Sequence, residues 1–184
     1  MNKLIYGVII ALFLGFAGSQ IYQSLNQSSK SAKSSRLACH KQSIVFERIY
    51  KPELTSSMIE ALQHGNVELK SKMKLSKYMT SQLGNYVKIE QVDSMFRTAI
   101  STHKEEKKSD KNLLIDYFVY ENDKEDPGKK TAKSKLYAGY IRSSFILDGV
   151  NVYSVQIDFD DLQGRDIPES VRCTIESMVT LDRE

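Results

Sequence analysis

Leu136-Tyr137-Ala138-Gly139-Tyr140-Ile141-Arg142-Ser143-Ser144-Phe145-Ile146-Leu147, Asp148-Gly149, then Val150-Asn151-Val152-Tyr153-Ser154-Val155-Gln156-Ile157-Asp158-Phe159 is the stretch on which the fold turns. Both arms are rich in β-branched and aromatic residues and alternate apolar with polar, as a half-buried strand requires. Asp-Gly between them supplies the positive-φ residues of a two-residue hairpin turn. An antiparallel pair is therefore expected, and the rest of the sheet is read outward from it.

On the N-terminal side, Glu121 to Lys135, with Asp126-Pro127-Gly128, reads as a loop. Leu113-Leu114-Ile115-Asp116-Tyr117-Phe118-Val119-Tyr120 before it reads as another strand. Val67-Glu68-Leu69-Lys70-Ser71-Lys72-Met73-Lys74-Leu75 alternates strictly, lysines on one face and apolar residues on the other. Pro52 opens a helix over 52–64, with Leu54, Met58, Ile59 and Leu62 at helical spacing and Gly65-Asn66 as its stop. Gly84-Asn85 marks a turn before Tyr86 to Glu90, and the apolar residues of Val92 to Ile100 fit a bulged strand or, nearly as well, a helix. A first strand is expected over Leu37 to Tyr50 and a last one over Val171 to Val179, after Gly164 and Pro168. Together these predict a mainly β (α+β) domain, an antiparallel meander of about 6–7 strands. It would form a curved sheet or a small barrel, with one short helix near 52–64.

The chain has 184 residues and begins with Leu4-Ile5-Tyr6-Gly7-Val8-Ile9-Ile10-Ala11-Leu12-Phe13-Leu14-Gly15-Phe16-Ala17 behind a lone Lys3. An uncharged apolar run in that position is a secretion signal or a membrane anchor. Small residues at Ala17 and Ser19 suit cleavage after Ser19, whereas extension to Tyr22 gives about 19 residues, near the ~20 of a span. Residues 1–22 are thus read as signal peptide or N-terminal anchor and 23–36 as a flexible Ser- and Gln-rich tether. Residues 37–184 are read as one exported domain. The tether favours a retained inner-membrane anchor with the C-terminal domain in the periplasm, a soluble periplasmic protein being the alternative.

Lysine and arginine total 26 against 23 acidic residues, too small a bias to imply a nucleic-acid partner. Cys39 and Cys173 are the two cysteines, and in an oxidising compartment such a pair is expected to form a disulfide, here between the first and last strands. His40 beside Cys39 makes poor chelate geometry, so no metal and no cofactor are expected. His40, His64 and His103 sit in separate elements and read as surface or capping residues. Asp158-Phe159-Asp160-Asp161 resembles part of a calcium loop but lacks the acid spacing of an EF-hand, and reads as the end of a hairpin. No nucleophile–base pair or phosphate-binding motif stands out, and no enzymatic activity is expected. Tyr117, Tyr120, Tyr137, Tyr140 and Tyr153 are the binding candidates. Inward in a barrel they would line a pocket for a small apolar ligand; outward they would make a protein-binding face; they also serve as plain strand and core residues.

An apolar run over Leu4–Tyr22, a cysteine soon after a tether (Cys39), a β-rich domain and a cysteine near the C-terminus (Cys173) resemble the layout of FidL-like small membrane proteins. These are periplasmic partners of membrane-bound winged-helix regulators. The resemblance implies a membrane-tethered interaction module, a co-regulatory or accessory partner of another envelope protein, and carries no catalytic residues. The other reading is a periplasmic carrier of a small apolar ligand.

Overall fold

A computed structural model describes residues 32–106 and 109–182, so the expected leader and the tether up to residue 31 lie outside the described residues. The hairpin forms as expected: β5 (Gly139–Leu147) pairs antiparallel with β6 (Val150–Phe159) across a turn with φ 46° at Asp148 and 85° at Gly149. Both turn residues therefore have the positive φ that a hairpin following the strand twist needs. β4 (Asn112–Glu121) pairs antiparallel with β5, and β2 (Val45–Ile49) antiparallel with β6. β3 (Asn66–Lys74) pairs with β4 in parallel. The strand order is β1-β2-β6-β5-β4-β3, β1 (Ala32–Ser34) having only three residues, so the other five carry the sheet.

This α+β architecture is an open mixed sheet and corrects several expectations. It is neither a closed barrel nor a simple meander, because the β3–β4 connection carries a helix and returns in parallel, as such crossovers do. The expected strand over 37–50 shortens to β2, preceded by a 3-10 turn at Cys39–Lys41. The 52–64 helix is present as a 3-10 turn at Pro52–Leu54 running into α1 (Thr55–His64). Tyr86 closes the short α2 (Leu83–Tyr86), and the strand expected over 92–100 is α3 (Ile89–Ser101). Its buried residues Val92, Phe96 and Ile100 recur every fourth position, and the Gln91 side chain accepts the Lys88 N–H at its start, 3.0 Å. The expected last strand is α4 (Ile167–Val179), opened by Pro168 and laced on its outer side by Arg172 to Glu169 and Glu176.

The helices cover one face of the sheet. In β4, Leu113, Ile115, Tyr117 and Val119 are buried, whereas Leu114, Asp116, Phe118 and Tyr120 are only half-buried. The register places Ile141, Phe145, Tyr153, Val155 and Ile157 on that covered face. α1 packs on β3 to β6, α4 on β5 and β6, and α3 on β3 and α4. Each large side chain sealed there contributes about 1.5–3 kcal/mol. No α-helix lies on the opposite face among the described residues; the loop over 122–138, with a 3-10 turn at Ala132–Lys135, overhangs part of it.

Candidate functional site: the open face of the sheet

Strand alternation divides the five candidate tyrosines. Tyr117 and Tyr153 point into the helix-covered core and are 0% exposed. Tyr117 stacks on Phe96 with ring centroids 4.2 Å apart and donates to Asp93 at 2.6 Å; Tyr153 donates to Glu47. Burial, helped by those carboxylates, pushes both phenols above their ordinary range. These two are structural, and the fold offers no barrel lining that would join them with Tyr140.

Tyr120 and Tyr140 stand opposite each other in the β4–β5 ladder on the open face, ring centroids 4.8 Å apart, and Phe118 meets Tyr140 edge-on at 5.9 Å. The Lys74 ammonium sits over Phe118 at 3.5 Å and the Lys129 ammonium over Tyr120 at 5.4 Å. On the far side Arg48 covers Tyr50 at 4.6 Å. The face is therefore an aromatic patch capped by cations over ring faces, Lys129 being held as well by Asn122, the Asp123 carbonyl and the Tyr120 hydroxyl.

Tyr137 lies where the 122–138 loop overhangs this face and lines a groove of about 770 Å³ together with Ile44, Phe46, Leu136, Gln156 and Asp158. Asp158 is 5% exposed, and its Oδ1 accepts the Gln156 amide at 3.0 Å. Among the described residues no cation pairs with it. Burial raises its carboxyl to about 6, with Asp160 adding repulsion. Burial also raises the phenols of Tyr137 and Tyr140, with a contribution from Asp158. The sequence reading missed Asp158 as a site residue. The available signal was its position, an acid in phase with Ser154 and Gln156 on a strand; it was absorbed into the reading of a hairpin end. The acids that follow do serve the turn: Asp161 pairs with Arg165 at 2.6 Å, and Asp166 accepts the Asp160 and Asp161 N–H groups. A second groove, about 710 Å³, runs outside α3 and α4 past Met95, Ala99 and Ile167, and has no carboxylate among its lining residues.

Cys39 and Cys173 are joined by a disulfide, S–S 2.05 Å, which ties the 3-10 turn to α4 rather than strand to strand. Cys39, His40 and Cys173 offer three ligand atoms within 4.8 Å of one another. Both sulfurs are spent on their mutual bond, so this group is a metal donor set only when reduced. Contrary to expectation His40 is buried, its Nδ1 3.0 Å from the Ser34 hydroxyl and its Nε2 2.8 Å from that of Ser177. Ser177 gives its proton to the Cys173 carbonyl, so Nε2–H donates to the Ser177 oxygen. Burial lowers the His40 pKa, partly offset by Glu47. Glu121 and Asp123 serve the backbone: Glu121 accepts the Ser76, Gln82 and Leu83 N–H groups, and Asp123 those of Lys77, Tyr78 and Met79. Burial alone would raise both carboxyls, but these bonds bring them below their ordinary values.

No helix among the described residues is long and apolar enough to cross a membrane. No protein-family model matches the chain, and neither a curated protein nor a solved structure is similar to it.

Proposed function

We propose that this protein is a non-enzymatic interaction module, anchored in the inner membrane through residues 4–22, that acts in the periplasm as an accessory or co-regulatory partner of another envelope protein. One observation carries this reading: a sheet covered by helices on one side presents Phe118, Tyr120 and Tyr140, half-buried and in mutual contact, on the other. The aromatic rings and Arg48 match an interface, where aromatics and arginine are enriched, and the lysines over the rings suit its polar rim. The engagement of His40, Glu47, Glu121 and Asp123 in holding the fold supports a binding rather than a catalytic role.

The carrier reading now depends on the groove beneath Leu136 and Tyr137, since Tyr117 and Tyr153 are sealed in the core. A photocrosslinking residue replacing Tyr140 in whole cells tests the module reading, with the same residue replacing exposed Thr98 on α3 as control. A discrete heavier product from position 140 and none from position 98 is expected. Equal products from both faces, or none from position 140, would sink the reading.

A further inference from the structure

We infer that the groove at the end of β6 is a binding site for a primary alkylammonium group, with Asp158 as its counter-ion and Ile44, Phe46 and Leu136 as the wall for the attached hydrocarbon. A carboxylate 5% exposed, with one amide donor and no paired cation among the described residues, is a charge that the fold leaves uncompensated. Such a group is normally paired or neutralised. Here it faces a groove of about 770 Å³, large enough for a ligand of several heavy atoms.

The surroundings select the ligand's charge. Asp160 lies in the same groove and adds negative potential, so an anion is disfavoured. Arg142, the cation nearest in the ladder, stands opposite Gln156, and Tyr140 stands opposite Asp158. Lys41 and His40 line the groove from the 3-10 turn, His40 with both ring nitrogens engaged, by Ser34 and Ser177. The Phe46 and Tyr137 rings add faces on which an ammonium is attracted. The Asp158 Oδ1 already accepts the Gln156 amide, which disturbs the two-oxygen edge that a guanidinium fork matches, whereas an ammonium pairs with the remaining oxygen. The carboxyl's raised value of about 6 means that the site is charged at neutral pH and discharged in mild acid.

The ammonium could come from a free amine or from an ethanolamine headgroup, and the test separates these. Full-length protein with isotope-labelled isoleucine and leucine methyls is titrated with hexylamine at pH 7.5, reading Ile44 and Leu136. Saturable shifts at both are expected, weakening about tenfold at pH 5, where about nine-tenths of the Asp158 carboxyl is protonated. Asp158→Asn should weaken hexylamine binding at least tenfold at pH 7.5 and change little at pH 5. Hexanol should bind more weakly than hexylamine. A short-chain phosphatidylethanolamine that produces the same shifts identifies the headgroup as the source; shifts from hexylamine alone identify a free amine. Hexanol binding as tightly as hexylamine, or unchanged binding by Asp158→Asn, would overturn the assignment. Because Asp158→Asn leaves Tyr140 in place, its result is independent of the crosslinking outcome.

Discussion

Replacing Glu47 probes the knot that holds the N-terminal end of the domain to α4. Arg36 donates to Glu47 at 2.6 Å, to the Ser177 carbonyl at 2.6 Å and to Thr180 Oγ1, while the buried Tyr153 hydroxyl also donates to Glu47. The Arg36 and Glu47 side chains are each 13% exposed. Glu47→Ala therefore does more than delete an ion pair: it leaves a guanidinium and a phenol short of an acceptor in a region with little water. Breaking such a pair from one side costs about 3–5 kcal/mol, mostly because the partners remain buried. Glu47→Gln keeps an acceptor oxygen, loses the charge, and should cost about 1–2 kcal/mol. Tyr153→Phe removes one donor while Arg36 still satisfies the carboxylate, and should cost about 1 kcal/mol.

Acid supplies a second signature. Burial alone would raise the Glu47 carboxyl, but the hydrogen bonds from Arg36, Ser34 and Tyr153 bring it below the ordinary 4.5. A carboxyl depressed in the folded state stabilises the fold above its unfolded value and loses that contribution as pH falls through the folded value. Urea unfolding of the oxidised protein should thus show the wild type ahead of Glu47→Gln at pH 7, with the gap narrowing below about pH 4.5. A cost under about 1 kcal/mol for Glu47→Ala would refute the reasoning, as would a Glu47→Gln gap that stays constant into acid.

Three further outcomes are expected. Reducing the Cys39–Cys173 bond, whose ends are 134 residues apart, should lower unfolding stability by up to about 5 kcal/mol, read by urea midpoint with and without reductant. Gly139→Ala should cost about 1–3 kcal/mol or more in thermal unfolding, because the added Cβ would fall 2.1 Å from the Tyr120 carbonyl and 2.4 Å from the Phe159 ring. Asp158→Asn should stabilise the protein by about 1–2 kcal/mol at pH 7.5. A carboxyl raised to about 6 in the fold and 3.8 outside it penalises folding above pH 6 and is relieved as pH falls toward 4, so the gain should vanish near pH 4.

The hairpin, the β3 and β4 strands, the 52–64 helix and the disulfide were legible because each is fixed by local chemistry: Asp-Gly, strict alternation, Pro52 with Gly65, and two lone thiols. α4 was not, since Val171, Cys173, Ile175, Ser177 and Val179 alternate in sequence and the first, third and fifth are β-branched. Yet α4 is buried on most of its circumference, so a helical period has little polar face to show. The signal that could decide it was Pro168 followed by Glu169, Arg172 and Glu176 at helical spacing. α3 was misread because Val92, Met95, Phe96, Ala99 and Ile100 fit a bulged strand nearly as well. With both helices read as strands, only the 52–64 helix was left to cover a sheet, and a small closed barrel stood beside a curved sheet packed on that helix. The same error hid the division of the tyrosines, which follows only once one face is covered.

That one-sidedness has an energetic consequence for the open face. Three rings there keep part of their surface in water, and their cover is a pair of lysine side chains. An exposed ammonium–ring contact stabilises by about 0.5–1 kcal/mol, so displacing exposed Lys74 costs little, whereas half-buried Lys129 is held by Asn122, the Asp123 carbonyl and the Tyr120 hydroxyl. Burying apolar surface yields about 25 cal/mol per Å², and an aromatic ring pair presents enough area to exceed that cost. Lysines that swing aside are not lost, since at the rim they can pair with acids of whatever covers the rings. Helix-covered Tyr117 and Tyr153, with phenols locked on carboxylates, have no such freedom. The distinction between tyrosines that hold the fold and tyrosines left on the open face thus comes down to which side of a pleated strand each occupies.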